Sequence, residues 1–186
     1  MKKKLKTMLC GERYSHSISV MNAAKELAQV HGADVRRAEI AGLLHDCMRD
    51  AGIEKLFLEC KKHGIAASTI ESSHPELLHS VVGAYVVEEE FGVTDPEVKD
   101  AIRRHTTGEA GMSTLSKIIF LSDYLDPEKG MGDRDEVLDM AMNDIDAAML
   151  YVLEKKILYI IKKKALMHPE TINARNDILM TLTRRG

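Results

Sequence analysis

The chain has no tryptophan and only three phenylalanines, so aromatic rings cannot fill its interior. Leucine, isoleucine, valine, alanine and eleven methionines must do so, which suits helices packed on helices. Prolines number four, at 75, 96, 127 and 169, each where a helix should start or stop. There is no Asn-Gly hairpin signal and no clean period-two alternation, which argues against strands. The three cysteines, Cys10, Cys47 and Cys60, are odd in number and lack Cys-x-x-Cys spacing. A disulfide framework or a zinc knuckle is therefore not expected, and a cytoplasmic, reducing location fits. Cys47 reads as a small buried residue. The lysines at 2–4 resemble the start of a signal peptide, but Lys6, Gly11, Glu12 and Arg13 interrupt any apolar stretch after them. No run of about 18 uncharged apolar residues exists to span a membrane. Basic excess is also absent: the formal net charge is −3, which excludes the usual profile of a nucleic-acid binder but leaves room for a small anion in a local basic pocket.

What is present is helical periodicity over one domain's length of 186 residues. Residues 14–30 carry an apolar stripe. Asp34 caps a helix ending at His45, and residues 53–62 form a short helix stopped near Gly64. Pro75 opens a helix ended by Gly92, and Asp95-Pro96 begins one running to His105. Ser113 begins another that reaches Asp123. Residues 133–164 and 169–183 are helical, with Asp144 and His168-Pro169 as boundaries. The expected fold is an all-α bundle: a core over about 13–126, with C-terminal helices in 133–186 packing on it.

Four polar residues interrupt these apolar helices in the order His16, His45-Asp46, Asp123. Histidine and aspartate suit a borderline or hard divalent ion. Adjacent side chains diverge by about 100° on a regular helix, but a relaxed helix end lets His45 and Asp46 converge. A buried aspartate needs a partner, and a cation is a good one. A lone His-Asp pair is weak, so the expectation of a metal centre rests on the set. With four protein ligands, an ion preferring six keeps room for a water, whose pKa it lowers from ~16 toward ~7.

The ordered pattern resembles the HD superfamily of metal-dependent phosphohydrolases. Six further blocks are similar to the YqeK family, in order from end to end: Arg13-Tyr14-Ser15-His16-Ser17, Ala41-Gly42-Leu43-Leu44-His45-Asp46, Leu78-His79-Ser80-Val81-Val82-Gly83-Ala84-Tyr85, Ala101-Ile102-Arg103-Arg104-His105-Thr106-Thr107-Gly108, Asp123-Tyr124-Leu125-Asp126-Pro127 and Thr171-Ile172-Asn173-Ala174-Arg175-Asn176. That family is all-helical and comprises symmetrical bis(5′-nucleosyl)-tetraphosphatases, which split diadenosine tetraphosphate into two ADP. The resemblance implies iron as the metal, with manganese or another divalent ion as substitutes, and ADP as a bound product. Three places depart from the family pattern. Met48-Arg49 stands for Ala-Lys, Glu109 replaces an arginine, and Asp126-Pro127-Glu128-Lys129 stands for Glu-Pro-x-Arg. The last two bear on substrate choice.

The expected roles follow. His16, His45, Asp46 and Asp123 hold the metal, with His45 and Asp46 catalytic. His79, in the first turn of its helix, and His105, followed by Thr106, Thr107 and Gly108, line a phosphate pocket or support a second ion. Ser80 belongs to the same substrate-binding group. Arg13 lies one turn before His16 and can share its face, while Arg175 and Asn176 can grip phosphate, ribose or base. His31, His63, His74 and His168 have no partner pattern and are expected to be structural or exposed. The basic amphipathic stretch 155–164 reads as a solvated face over an apolar stripe. A homo-oligomer is compatible with the chain. Other readings are an HD phosphohydrolase acting on a dNTP or (p)ppGpp, a nucleotide sensor without turnover, or a purely structural scaffold.

Overall fold

The structure is a computed structural model that describes residues 1–185; the side chain of Lys129 and Gly186 lie outside the described residues, and with them the expectation placed on Lys129. Eleven α-helices follow one another, with no strand among the described residues: α1 Lys2–Met8, α2 Gly11–Val30, α3 Val35–Leu44, α4 Ile53–His63, α5 Thr69–Ser73, α6 Leu78–Phe91, α7 Pro96–Arg104, α8 Thr114–Tyr124, α9 Arg134–Asn143, α10 Ile145–Lys162 and α11 Pro169–Thr183. Short 3₁₀ turns cover Pro75–Leu77 and Pro127–Lys129.

Local chemistry sets these boundaries. The carboxylate of Asp34 accepts from the Arg37 amide at 2.9 Å, that of Asp95 from Glu97 at 3.0 Å, and that of Asp144 from Asp146 at 2.9 Å, each satisfying an amide with no helical partner. Gly64 and Gly92 close α4 and α6 in the left-handed conformation that an L side chain resists. Asp144 divides the 133–164 stretch: the chain leaves α9 extended there and restarts as α10. Two helices escape the sequence pattern. At seven and five residues, α1 and α5 are too short to show a 3.6 period. Yet Leu5 of α1 is fully buried, and Ser68 and Glu71 form a reciprocal capping box at α5.

Helix α8 lies at the centre, packed against α2, α3, α7 and α10. Its Ile118, Ile119, Phe120 and Leu121 are wholly buried. The tightest crossing is α2 on α3. A Cβ at Gly42 would come within 2.9 Å of the Met21 Cα, 3.1 Å of the Val20 carbonyl oxygen and 3.2 Å of the Ala24 Cβ. Only glycine lets the two backbones approach this closely, and the approach brings the end of α3 to the His16 turn of α2. C-terminal helix α10 packs on α8, and α11 on α10.

Candidate active site

His16 sits in the second turn of α2, His45 just after α3, Asp123 in the last turn of α8, His79 in the first turn of α6, and His105 just after α7. After Leu44 the backbone tightens into successive i+3 hydrogen bonds, Cys47 N–H to Leu44 O and Arg49 N–H to Asp46 O. That relaxation turns His45 and Asp46 to one point, with Nε2 and Oδ2 3.7 Å apart.

The side chains meet around the Asp46 carboxylate. On one side, His16 Nε2 is 3.1 Å from His45 Nε2 and 3.0 Å from Asp123 Oδ1. Asp46 Oδ2 lies 3.8 Å from His16 Nε2. On the other side, Asp46 Oδ1 is 3.1 Å from His79 Nε2 and 3.4 Å from His105 Nε2, and these two nitrogens are 3.2 Å apart. All four histidines and Asp46 are buried.

Each histidine has its other ring nitrogen on an acceptor: His16 Nδ1 on Asp126 Oδ2 at 2.5 Å, His45 Nδ1 on the Gly42 carbonyl at 2.8 Å, His105 Nδ1 on the Ile102 carbonyl at 2.7 Å, and His79 Nδ1 on the Glu76 carbonyl. An acceptor there requires Nδ1–H, so each neutral ring carries its lone pair on Nε2. Lone pairs facing one another at 3.1 and 3.2 Å repel unless a cation lies among them. Ions bound by nitrogen and oxygen at about 2.0–2.2 Å hold neighbouring ligand atoms about 3.0–3.5 Å apart, which is the spacing found. The donor set therefore fits a divalent metal. His16, His45 and Asp123 form one group able to hold an ion, and His45, Asp46 and His105 another.

The electrostatics agree. Burial pushes His105 down to about 4, helped by its neighbours His45 and His79, so the ring is neutral at pH 7. Burial alone would raise Asp46, but His45, His105 and His79 hold it far below the usual carboxylate range. Burial also disfavours charge on His45, and the Asp46 and Asp123 carboxylates more than offset it, so its pKa rises. The point between these groups is one where positive charge is favoured.

These are the marks of one family. Residues 13–128 match the HD domain. The chain belongs to the HD domain family. Symmetrical bis(5′-nucleosyl)-tetraphosphatases from Bacillus subtilis and Halalkalibacterium halodurans are 36% and 37% identical to it, over 92% and 95% of this chain and 92% and 94% of theirs. A crystal structure of a predicted HD superfamily hydrolase from Clostridium acetobutylicum, described as involved in NAD metabolism, superposes with a TM-score of 0.93 at 34% identity, covering 97% of this chain and 95% of that one.

Around this HD centre the other expected residues divide. Arg13 stands at the rim, Nη1 3.7 Å from Asp46 Oδ2 and Nε 4.0 Å from Asp50 Oδ1. Thr106 Oγ1 is 3.1 Å from His105 Nε2 and 3.3 Å from His79 Nε2. Thr107 and Ser80 turn their hydroxyls to main-chain carbonyls, of Gly108 at 3.1 Å and Leu77 at 3.1 Å. The C-terminal helices clamp this turn: Lys156 Nζ donates to the Thr106 carbonyl at 3.1 Å and Thr171 Oγ1 to the Thr107 carbonyl at 2.9 Å. The hydrogen bonds of Arg175 go elsewhere. Its Nε and Nη2 donate to Glu154 Oε1 at 3.0 and 2.6 Å, and its Nη1 to Asn176 Oδ1 at 3.4 Å, in a groove with Ile157, Leu158 and Ile172. Glu109 pairs with Arg103 at 2.5 Å and with Arg104 at 3.4 Å, so its negative charge is answered locally.

Sequence reasoning missed Asp126 and Arg49. Asp126 orients His16 from the turn after α8, and its place three residues after Asp123 in a family-like block was the available signal. Arg49 Nη1 lies 3.3 Å from His79 Nδ1 and donates to the Glu76 carbonyl at 3.3 Å, so the charge after the His-Asp pair is spent at the His79 turn.

Proposed function

We propose that this HD protein hydrolyses diadenosine tetraphosphate symmetrically to two ADP. The observation that carries the proposal is the Asp46 carboxylate standing between two histidine pairs, in a chain whose relatives of that activity align along nearly its whole length.

His16, His45, Asp46 and Asp123 would hold a divalent ion, and His79 and His105 would hold a second one with Asp46. Bound there, such ions supply Lewis acidity toward phosphate oxygens and an acidified water at neutral pH. Iron suits the set, which offers nitrogen and oxygen and no thiolate. The rest is done by the chain itself. Asp126, Gly42, Glu76 and Ile102 fix the four imidazoles with Nε2 inward. Arg13, half exposed beside Asp46, can exchange that carboxylate for a phosphate oxygen as substrate arrives. The Thr106 hydroxyl, between His79 and His105, can donate to another. Water supplies the oxygen that completes one ADP as the central P–O–P bridge breaks, and the second ADP leaves with the bridging oxygen. ADP is a good leaving group, so no strong general acid is required. Arg175 and Asn176 would contribute only by giving up the Glu154 pair for a phosphate. The free thiols at Cys10, Cys47 and Cys60 support a cytoplasmic location.

Product analysis tests the proposal. Chromatography of the reaction with diadenosine tetraphosphate should give ADP alone. ATP with AMP would refute symmetrical cleavage, and turnover of dNTP or (p)ppGpp in place of the dinucleotide would move the activity to another substrate.

A further inference from the structure

A second convergence of ligand-type side chains lies between α4 and α6. Glu59 and His63 are one turn apart on α4, and Glu89 projects from α6. His63 Nε2 lies 3.5 Å from Glu59 Oε2 and 3.5 Å from Glu89 Oε1, yet it is buried from solvent and makes no hydrogen bond among the described residues. The ring is held in that attitude by stacking on Tyr85, centroids 4.8 Å apart. With the ring proton on Nδ1, the Nε2 lone pair would lie between two carboxylates, an arrangement that a cation's positive charge relieves.

The Lys62 ammonium supplies part of that charge, 3.3 Å from Glu59 Oε2 and paired also with Glu89. It answers one of two negative charges and does not reach His63 Nε2 as a hydrogen-bond partner. A divalent ion in its place would answer both and take the lone pair. The three donor atoms lie within 4.8 Å of one another, and the two histidine–glutamate edges of 3.5 Å match a tetrahedral ion with bonds of about 2.1 Å. Access is provided: Glu59 and Glu89 wall a cleft of about 300 Å³ that also bears Lys4, Lys55 and Lys62.

We propose that Glu59, His63 and Glu89 form a binding site for a divalent cation of the zinc class, distinct from the HD centre. The site lies about 15 Å along α6 from His79, from the helical rise over ten residues. Its occupant fastens α4 to α6, the helix that presents His79, and touches no reacting atom. This rests on its own geometry and not on the identity of the substrate.

Equilibrium dialysis of the full chain against buffered Zn²⁺, followed by elemental analysis, tests it. His63→Gln and Glu89→Gln should each hold one ion fewer per chain than the unaltered protein, with the rate of dinucleotide hydrolysis unchanged. Zn²⁺ should raise the melting temperature of the unaltered protein more than that of His63→Gln. Lys62→Met, which removes the competing ammonium, should hold the extra ion at lower free Zn²⁺, and it decides the matter if His63→Gln folds poorly. Equal ion content in the unaltered and altered proteins would overturn the proposal, as would Lys62→Met binding no more tightly.

Discussion

His16 Nδ1 sits 2.5 Å from Asp126 Oδ2, two residues separated by 110 positions and both buried. The carboxylate fixes the tautomer that turns His16 Nε2 toward His45 and Asp123. Asp126→Ala should weaken metal binding by about 10–100-fold, the usual effect of losing a partner of a ligating histidine. Asp126→Asn, which keeps an acceptor oxygen, should lose much less. Metal titration of activity and of bound metal would check both.

Gly42 controls how closely α2 and α3 approach. Gly42→Ala places a methyl group 2.9 Å from a backbone atom of α2, which cannot yield as a side-chain tip can. Thermal or denaturant unfolding should show a loss of about 1–3 kcal/mol, typical of overpacking. Hydrolysis should fall as well, because the same shift separates His45 from His16.

Arg13 and Arg175 should separate cleanly. Loss of a charge-assisted phosphate contact costs about 1.5–3 kcal/mol, so Arg13→Ala should lower kcat/KM by about 10–100-fold. Arg13→Lys should recover part of it. Arg175, already paired with Glu154, should change kcat/KM by less than about threefold on substitution by alanine, in keeping with surface ion pairs worth about 0–1 kcal/mol. Steady-state kinetics on the dinucleotide distinguishes the two.

Cys47, beside the His45-Asp46 pair, has its thiol pushed up to about 12, first by burial and then by the Asp46 charge. The unfolded thiol titrates near 9, so the folded state binds the proton more tightly and loses stability as pH rises above about 9. At pH 8.5 iodoacetamide should modify exposed Cys10 and leave Cys47 untouched, read by peptide mass spectrometry. Modification of Cys47 at a comparable rate would mean that the end of α3 opens readily.

Much of the fold was legible because its helices are long and amphipathic and their caps are aspartates, prolines and glycines in standard places. Helices α1 and α5 were not, being shorter than two or so periods of the pattern. In the HD centre, residue types and order pointed to His16, His45, Asp46 and Asp123. His79 and His105 were visible as helix-end histidines, but the way both face a single Asp46 oxygen depends on the packing of α7 on α3 and of α6 on α7. Asp126 was read as part of a family-like block and as a departure within it, without a role, since which carboxylate meets an imidazole depends on the turn after α8. Arg175 was expected at phosphate because a guanidinium suits it. Its partner Glu154 lies on another helix, and only the packing of α10 on α11 reveals it.

The most direct test is metal content and hydrolysis measured together on the unaltered protein and on Asp46→Ala. The prediction is that the unaltered chain holds metal and releases ADP from diadenosine tetraphosphate, whereas Asp46→Ala loses both and keeps its helical circular-dichroism spectrum. An Asp46→Ala protein that still holds its metal and still hydrolyses the dinucleotide would contradict the assignment.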